Sequence, residues 1–205
     1  HRRSRGFNPH SVQKSKMNNP INKKQFRVIK FLVDLFNKFK IKYFIDDGLA
    51  AIIYGSKRKL YDVDICINTE SMNKLKRAFN DLAFRSFSYK KFEDCHVHIV
   101  TFRINNVPID ARTDKREYVC HTGKGKKRCV KLHDEFRNTK IIKFRGLRLR
   151  VINPELLFVT KLFINRKCDR IDAKAILKNT KLNKGKLNKL SKKFKVESKI
   201  KRFLE

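Results

Sequence analysis

The fold is indicated most clearly by residues 47–65, whose sequence is DGLAAIIYGSKRKLYDVDI. A glycine turn followed by the apolar residues 49–54 predicts a short buried helix, and residues 63–67 predict a strand. Side chains alternate between the two faces of a strand, so Asp62 and Asp64 should lie on the same side. Two carboxylates in this position can bridge hard divalent cations, although two solvated aspartates at a sheet edge would give the same pattern.

A third carboxylate is expected next to this pair. Residues 107–112 predict another strand, on which Asp110 has the alternation that points its side chain inward. Three converging carboxylates are the ligands that two-metal phosphoryl transfer uses, with one ion activating the attacking oxygen and the other holding the nucleotide phosphates. We therefore predict that the catalytic residues Asp62, Asp64 and Asp110 bind two Mg²⁺ ions together with an NTP. Asp110 either helps to bind an ion or acts as the general base.

These features resemble the polymerase-beta-like nucleotidyltransferase superfamily. Its motif consists of a hydrophobic residue, a Gly-Gly or Gly-Ser pair, a short spacer, and the sequence Asp-hydrophobic-Asp/Glu-hydrophobic. In this chain Asp47-Gly48 stands at the glycine pair, residues 49–61 form the spacer, and residues 62–65 complete the motif. The resemblance implies a metal-dependent enzyme that uses a nucleoside triphosphate.

The nearest resemblance within that superfamily is to the minimal and toxin–antitoxin-type branch. One signature of the branch matches residues 48–58, GLAAIIYGSKR, and a second matches residues 153–173, a helix pair in which a lysine faces nucleotide phosphate. Together the matches cover roughly residues 43–177. The residues that the resemblance assigns to nucleotide binding are Gly48, Ser56, Arg58, Lys161 and Asp172.

The chain departs from the superfamily pattern at the glycine turn, where it has Asp46 and Asp47. A glycine at this turn lets backbone amides at a helix N-terminus approach the triphosphate. Two negative charges beside a triphosphate weaken its binding unless a metal or a nearby lysine offsets them. The alternative is that both carboxylates cap the short helix, in which case the domain is a former enzyme kept for binding.

The whole pattern predicts an α+β fold, a nucleotidyltransferase-type mixed β-sheet flanked by helices, with a basic helical C-terminal extension. The expected regions are a basic, extended tail at 1–18, a nucleotidyltransferase α/β core at 19–152 and a helical basic region at 153–205. Within the core we expect a first helix at about 20–39 and a helix capped by Thr69 or Ser71. The lysine-rich, glycine-punctuated residues 114–139 predict an exposed loop.

The net charge of +33 is the strongest indication of a partner. Such an excess repels itself in the compact state unless a polyanion neutralises it, so nucleic acid is expected, and a membrane surface is the competing interpretation. The sequence contains no apolar run long enough to span a bilayer. The basic residues expected to bind RNA, either tRNA or rRNA, are Lys124, Lys126, Lys127, Arg128, Lys192 and Lys193.

The five cysteines are too few and too scattered for a disulfide framework, which favours a reducing, intracellular setting. Both the cytoplasm and an organelle such as the mitochondrion fit this pattern. Cys120, Cys129 and His133 could hold zinc, but their spacing differs from the common zinc knuckle and ordinary thiols are expected.

Two functions follow from these observations. The first is a metal-dependent nucleotidyltransferase that transfers a nucleoside monophosphate from an NTP to an RNA acceptor such as a tRNA 3′ end. The alternative is a catalytically inactive protein of the same fold that binds RNA in a ribosome, organellar or not, or in another ribonucleoprotein. The carboxylates Asp62, Asp64 and Asp110 favour the enzyme, and the charge with Asp46 and Asp47 favours the binding protein.

Overall fold

A computed structural model describes residues 19–78, 88–91, 95–121, 127–132 and 135–205. Within these residues eight strands form one sheet and seven α-helices surround it. The strands are β1 (Tyr43–Ile45), β2 (Val63–Ile67), β3 (Ser88–Lys91), β4 (Cys95–Ile104), β5 (Val107–His121), β6 (Lys127–Lys131), β7 (Thr139–Phe144) and β8 (Leu147–Ile152). The helices are α1 (Lys23–Lys38), α2 (Asp47–Ile53), α3 (Met72–Ala78), α4 (Pro154–Ile164), α5 (Lys167–Asn179), α6 (Lys184–Phe194) and α7 (Glu197–Leu204).

The sheet is mixed, in the order β3-β4-β5-β2-β1-β8-β7, and β6 pairs with the far part of β5. Strand β2 runs parallel to β5 and β1 runs parallel to β8, whereas the other pairs are antiparallel. In the parallel register Asp64 lies directly opposite Asp110. The predicted mixed sheet with flanking helices is therefore confirmed.

The hydrophobic core includes residues from both sides of position 153. Helix α4 has the sequence PELLFVTKLFI, which is predominantly apolar, and it is buried along almost its whole length. Its Phe158 and Phe163 are among the largest fully buried side chains, and burying each contributes about 1.5–3 kcal/mol. The same core cluster contains Phe36 of α1 and Phe194 of α6, so α4 is packed into the core of the sheet domain.

Two helices begin at residues other than those expected. Helix α1 starts at Lys23 because Asn22 caps it: the Asn22 side chain accepts a hydrogen bond from the Gln25 amide at 2.8 Å, and the Gln25 side chain accepts one from the Asn22 amide. After β2 the cap is Asn68 rather than Thr69 or Ser71. Its side chain accepts from the Ser71 amide at 3.1 Å and starts a 3₁₀ turn that leads into α3.

The prediction of an exposed loop at 114–139 is wrong for most of the described residues. Strand β5 continues to His121, and β6 pairs with it antiparallel. Polar residues are compatible with these strands because one face of an antiparallel sheet can face water. Tyr118 and Val130, which lie opposite each other in β5 and β6, are buried on one face, and Val119 is buried on the other.

None of the helices in the described ranges has both the length and the apolar character needed to span a bilayer.

Candidate active site

Three carboxylates meet where β2 and β5 lie side by side. Asp62 directly precedes β2, Asp64 lies within it, and Asp110 is the residue opposite Asp64 on β5. One oxygen from each of the three lies within 4.8 Å of the others. The structure therefore brings together the three residues that sequence alternation and the superfamily motif single out.

These carboxylates line a cavity of about 280 Å³. Tyr61, which is 68% exposed, stands at this cavity next to Asp62, and Lys59 lies 5.9 Å from the centre of its ring. The other residues at the cavity are Asp47, Arg58, Val97, Ile99, Arg112, Arg166 and Cys168. Cations and carboxylates thus surround a space open to solvent on the side of Tyr61.

The carboxylate of Asp64 is paired with Arg112, a residue that the sequence prediction missed. Nη2 of Arg112 donates to Oδ1 of Asp64, and both residues are almost completely buried. No described residue accepts a hydrogen bond from the buried Nε of Arg112. Arg112 follows Asp110 by two residues on β5, so strand alternation alone would place it on the same face. Its guanidinium offsets part of the repulsion among the three acids.

A second charged cluster surrounds the amine of Lys161 in α4. Nζ of Lys161 donates to Asp47 at the start of α2, lies 3.0 Å from Oδ1 of Asp169 and lies 3.2 Å from Oδ2 of Asp172. The two α5 carboxylates are fully buried. Burial alone would lower the pKa of Lys161, but the three carboxylates outweigh it and raise that pKa above its ordinary value. The amine stays charged and joins α4 to α2 and α5.

The nucleotide-binding residues expected from the resemblance contact one another. Asp172 accepts two hydrogen bonds from Nε of Arg58, at 2.8 and 2.9 Å, and one from the hydroxyl of Ser56 at 2.8 Å. The ion pair raises the pKa of Arg58 even though burial opposes this. A Cβ on Gly48 would lie 2.5 Å from Nη2 of Arg58, so the glycine leaves room for the guanidinium. All five expected residues thus belong to one connected cluster.

Asp47 adopts a backbone conformation that favours glycine. Its φ of 42° lies in the left-handed region, which disfavours residues with a side chain. Burial would raise the pKa of Asp47, but attraction to Lys161, Arg112 and Arg166 holds this pKa well below its ordinary value. Asp46 holds the N-cap position without a side-chain hydrogen bond to the described amides of α2. Asp47 therefore acts as the partner of Lys161 and not as a simple helix cap.

The expected RNA-binding residues are only partly covered by the described ranges. Nη1 of Arg128 on β6 donates to the carbonyl oxygen of Lys195 at 3.2 Å, just beyond α6. Lys192 and Lys193 are exposed near the end of that helix, so β6 and α6 together form a basic surface. Lys127 belongs to β6, and Lys124 and Lys126 lie outside the described residues.

The possible zinc ligands are also only partly described. Cys120 lies on β5, and Cys129 on β6 lies opposite its neighbour Val119. Neither cysteine forms a disulfide. His133 lies outside the described residues.

Comparison with known proteins identifies the fold. The proposed nucleotidyltransferase TM1012 from Thermotoga maritima superimposes with a TM-score of 0.55 at 15% identity, over 89% of this chain and 96% of that one. The solution structure of the antibiotic-resistance factor ANT(2″)-Ia gives a TM-score of 0.58 at 12% identity, over 89% and 97%. The crystal structure of ANT(2″)-Ia with adenylyl-2″-tobramycin gives 0.56 at 12% identity, over 86% and 99%. No family model and no curated protein matches the sequence.

The nucleotidyltransferase fold expected from the sequence motif is thus confirmed. Because identities of 12–15% establish the fold alone, the acceptor and the chemistry of this chain have to be argued from its own residues.

Proposed function

We propose that this chain is a metal-dependent nucleotidyltransferase that transfers a nucleoside monophosphate from an NTP to a hydroxyl of RNA, such as a tRNA 3′ end. The observation that carries the proposal is the convergence of Asp62, Asp64 and Asp110 within 4.8 Å. Without chemistry to serve, three acids packed so closely would repel each other and also repel an RNA ligand.

The chemistry of these side chains fits divalent cations. Carboxylate oxygens are the hard ligands that Mg²⁺ prefers, and Asp62 and Asp64 would hold it in this site, with Asp110 beside them as the base. When bound, the metal supplies charge stabilisation at the transferring phosphoryl group and makes the acceptor hydroxyl more acidic. Arg112 would compete with a metal for Oδ1 of Asp64, and if the metal took that oxygen the guanidinium would be available to a phosphate oxygen.

The residues around the cavity suit the remaining steps. Asp110 accepts the proton of the acceptor hydroxyl, whose oxygen attacks the α-phosphorus while the bond to the β-phosphate breaks and pyrophosphate leaves. Arg112 and Arg166 line the cavity and can neutralise the charge that develops on the departing group. Lys161, 2% exposed and already paired with three carboxylates, is better suited to positioning Asp47 and the α4–α5 pair than to direct phosphate contact.

The acceptor is proposed to be RNA because of the charge of the chain. A net charge of +33 gives long-range attraction to a polyanion that a small acceptor would not need. The described basic surface of β6 and α6, with Arg128, Lys192 and Lys193, is consistent with phosphate contacts.

The decisive experiment is label transfer from each α-labelled NTP to total RNA in the presence of Mg²⁺. Wild-type protein should label RNA, and Asp64→Asn or Asp110→Asn, which keep the side-chain size, should abolish transfer. Asp34→Asn is the matched control because Asp34 is an exposed carboxylate of α1 that pairs with Lys30 and does not belong to the carboxylate cluster. Equal transfer by wild type and Asp64→Asn would refute the catalytic assignment.

A second candidate function is RNA binding without catalysis. Two contacts favour it: Arg112 on the carboxylate of Asp64, and the carboxylate of Asp47 at the turn where the superfamily has glycine. In the same experiment this function predicts salt-sensitive RNA binding and no label transfer with any NTP.

A further inference from the structure

A second concave surface lies at the opposite end of β1 from the carboxylates. This groove, of about 590 Å³, is formed by the end of α1, the start of β1 and the β7–β8 hairpin. Strand β1 leads from Tyr43 in the groove to Asp46 and Asp47 beside the catalytic cavity. At about 3.3 Å per residue, Tyr43 and Asp47 are separated by about 13 Å.

The groove is strongly positive. Among the described residues, its lining includes four exposed cations, Lys40, Lys42, Arg148 and Arg150, and no carboxylate. Throughout the described ranges, none of the four is ion-paired with an acidic side chain. Asp34, one turn before the end of α1, is already paired with Lys30 at 3.3 Å. Within those ranges, therefore, no carboxylate competes with an anionic ligand for these four charges.

The floor of the groove is aromatic and apolar. Phe36, Tyr43 and Phe136 belong to it. Phe36 and Tyr43 pack with their ring centres 4.7 Å apart, and Phe136 packs edge-on against Phe44 with ring centres 5.0 Å apart. Ile141, at the rim, is 48% exposed and adds apolar surface to the groove. Burial raises the pKa of Tyr43 to about 12, so its hydroxyl stays neutral and can donate.

The positions of the two arginines are set by the sheet. Arg148 and Arg150 alternate with the buried Leu149 on β8, so both point away from the core. Arg150 lies opposite Ile141 of β7 and donates to the Thr139 hydroxyl at 3.2 Å. A rigid strand pair thus presents two guanidinium groups and an apolar side chain together.

We propose that this groove binds single-stranded RNA, with the four cations on the phosphates and the apolar floor under a base. Cationic walls around an aromatic or apolar floor are the features with which proteins bind single strands. That the groove binds single-stranded RNA does not depend on the proposed function. That the bound RNA is also the acceptor of the nucleotide does rest on it.

The test is the salt dependence of binding of a labelled single-stranded RNA, followed by fluorescence anisotropy without NTP or metal. The variant Lys40→Gln/Lys42→Gln/Arg148→Gln/Arg150→Gln removes four phosphate contacts. Each contact contributes about 0.7 to the slope of log K against log salt, so the slope should become shallower by about 2.8. Between about 50 and about 200 mM KCl, wild type should then lose about 50-fold more affinity than the variant.

The matched control removes the same charge elsewhere. Lys23, Lys24, Lys174 and Lys178 are exposed lysines of α1 and α5 outside the groove, and their replacement with Gln should leave the slope almost unchanged. Equal loss in both variants would mean that net charge alone acts and would overturn the proposal. If the quadruple groove variant does not fold, Lys40→Gln/Lys42→Gln should still reduce the slope by about 1.4.

Two further outcomes separate the possible explanations. Loss of RNA binding in the groove variant, with no label transfer by wild type, would support the groove and refute the proposed enzyme. If the groove variant instead lost binding to vesicles of phosphatidylserine and phosphatidylcholine but still bound RNA as wild type does, the groove would be assigned to a membrane surface and the proposal would be overturned.

Discussion

Replacing Lys161 with methionine should destabilise the protein by about 3 kcal/mol. The substitution keeps an unbranched side chain of similar length in α4 but leaves Asp169 and Asp172 without the amine that lies 3.0 and 3.2 Å away. Both carboxylates are fully buried, and removing one partner of a buried ion pair costs about 3–5 kcal/mol. We expect the lower end of that range because other cations remain: Nε of Arg166 stays 2.8 Å from Asp169, and Nε of Arg58 stays 2.8 Å from Asp172.

Urea unfolding monitored by circular dichroism measures this effect directly. The midpoint should fall with little change in the m-value, and the melting temperature should fall by about 6–12 °C, from about 2–4 °C per kcal/mol for a chain of this size. Lys174→Met is the control, because Lys174 lies exposed on α5 and should change stability by less than about 0.5 kcal/mol. A loss below about 1 kcal/mol for Lys161→Met would refute the view that this amine stabilises the buried carboxylates.

The difference between wild type and Lys161→Met should also depend on pH. The pKa of Lys161 is raised in the folded protein, so its contribution is complete below its ordinary value of 10.5 and is lost as the pH rises through the folded pKa. The pKa of Asp47 is lowered, so its contribution is complete above its ordinary value of 3.8 and is lost as the pH falls below that value. The stability difference should be widest between these limits, and a difference that instead grew in strong alkali would contradict the assignment.

Three further predictions test the carboxylate site, the turn at Asp47 and the packing of Gly55 after α2. Arg112→Gln should increase Mn²⁺ affinity several-fold, measured by calorimetry, because the guanidinium no longer competes for Asp64; weaker binding would show that Arg112 supports the site. Asp47→Gly should be more stable than Asp47→Ala by about 1–2 kcal/mol in thermal unfolding, since both lack the carboxylate and only alanine is strained at a φ of 42°; equal stability would argue against that backbone. Gly55→Ala should lose at least about 1–2 kcal/mol, because φ is 101° and the new Cβ would lie 2.6 Å from Nδ2 of Asn179; a neutral substitution would exclude this packing.

The placement of Asp62 and Asp64 in the candidate site was predictable because it depends on a local sequence pattern. Alternation along a strand is a property of the backbone, so Asp62 and Asp64 could be placed on one face from their spacing alone. Asp110 needed the further assumption that its strand lies beside β2, which no local pattern supplies. Arg112 could have been found by the same alternation, two residues beyond Asp110.

The contacts of the charged residues could not be predicted in the same way. The partners of Lys161 come from α2 and α5, and the residue opposite Asp64 comes from β5, so each depends on the register of segments far apart in the chain. The extension of β5 and β6 into residues 114–139 was missed for a similar reason, since polar strands gain their hydrogen bonds from a partner strand and carry little signal of their own.

The amino-acid sequence alone determines the charge, the nucleotidyltransferase motif and the side of the strand on which Asp62 and Asp64 lie, because composition and backbone periodicity are local. The tertiary structure alone decides which cation neutralises which carboxylate, and that Lys42, Arg148 and Arg150 share one groove. Hydrogen bonds form only at short distances and salt screens charges that lie far apart, and distances between remote segments are set only when the whole core packs.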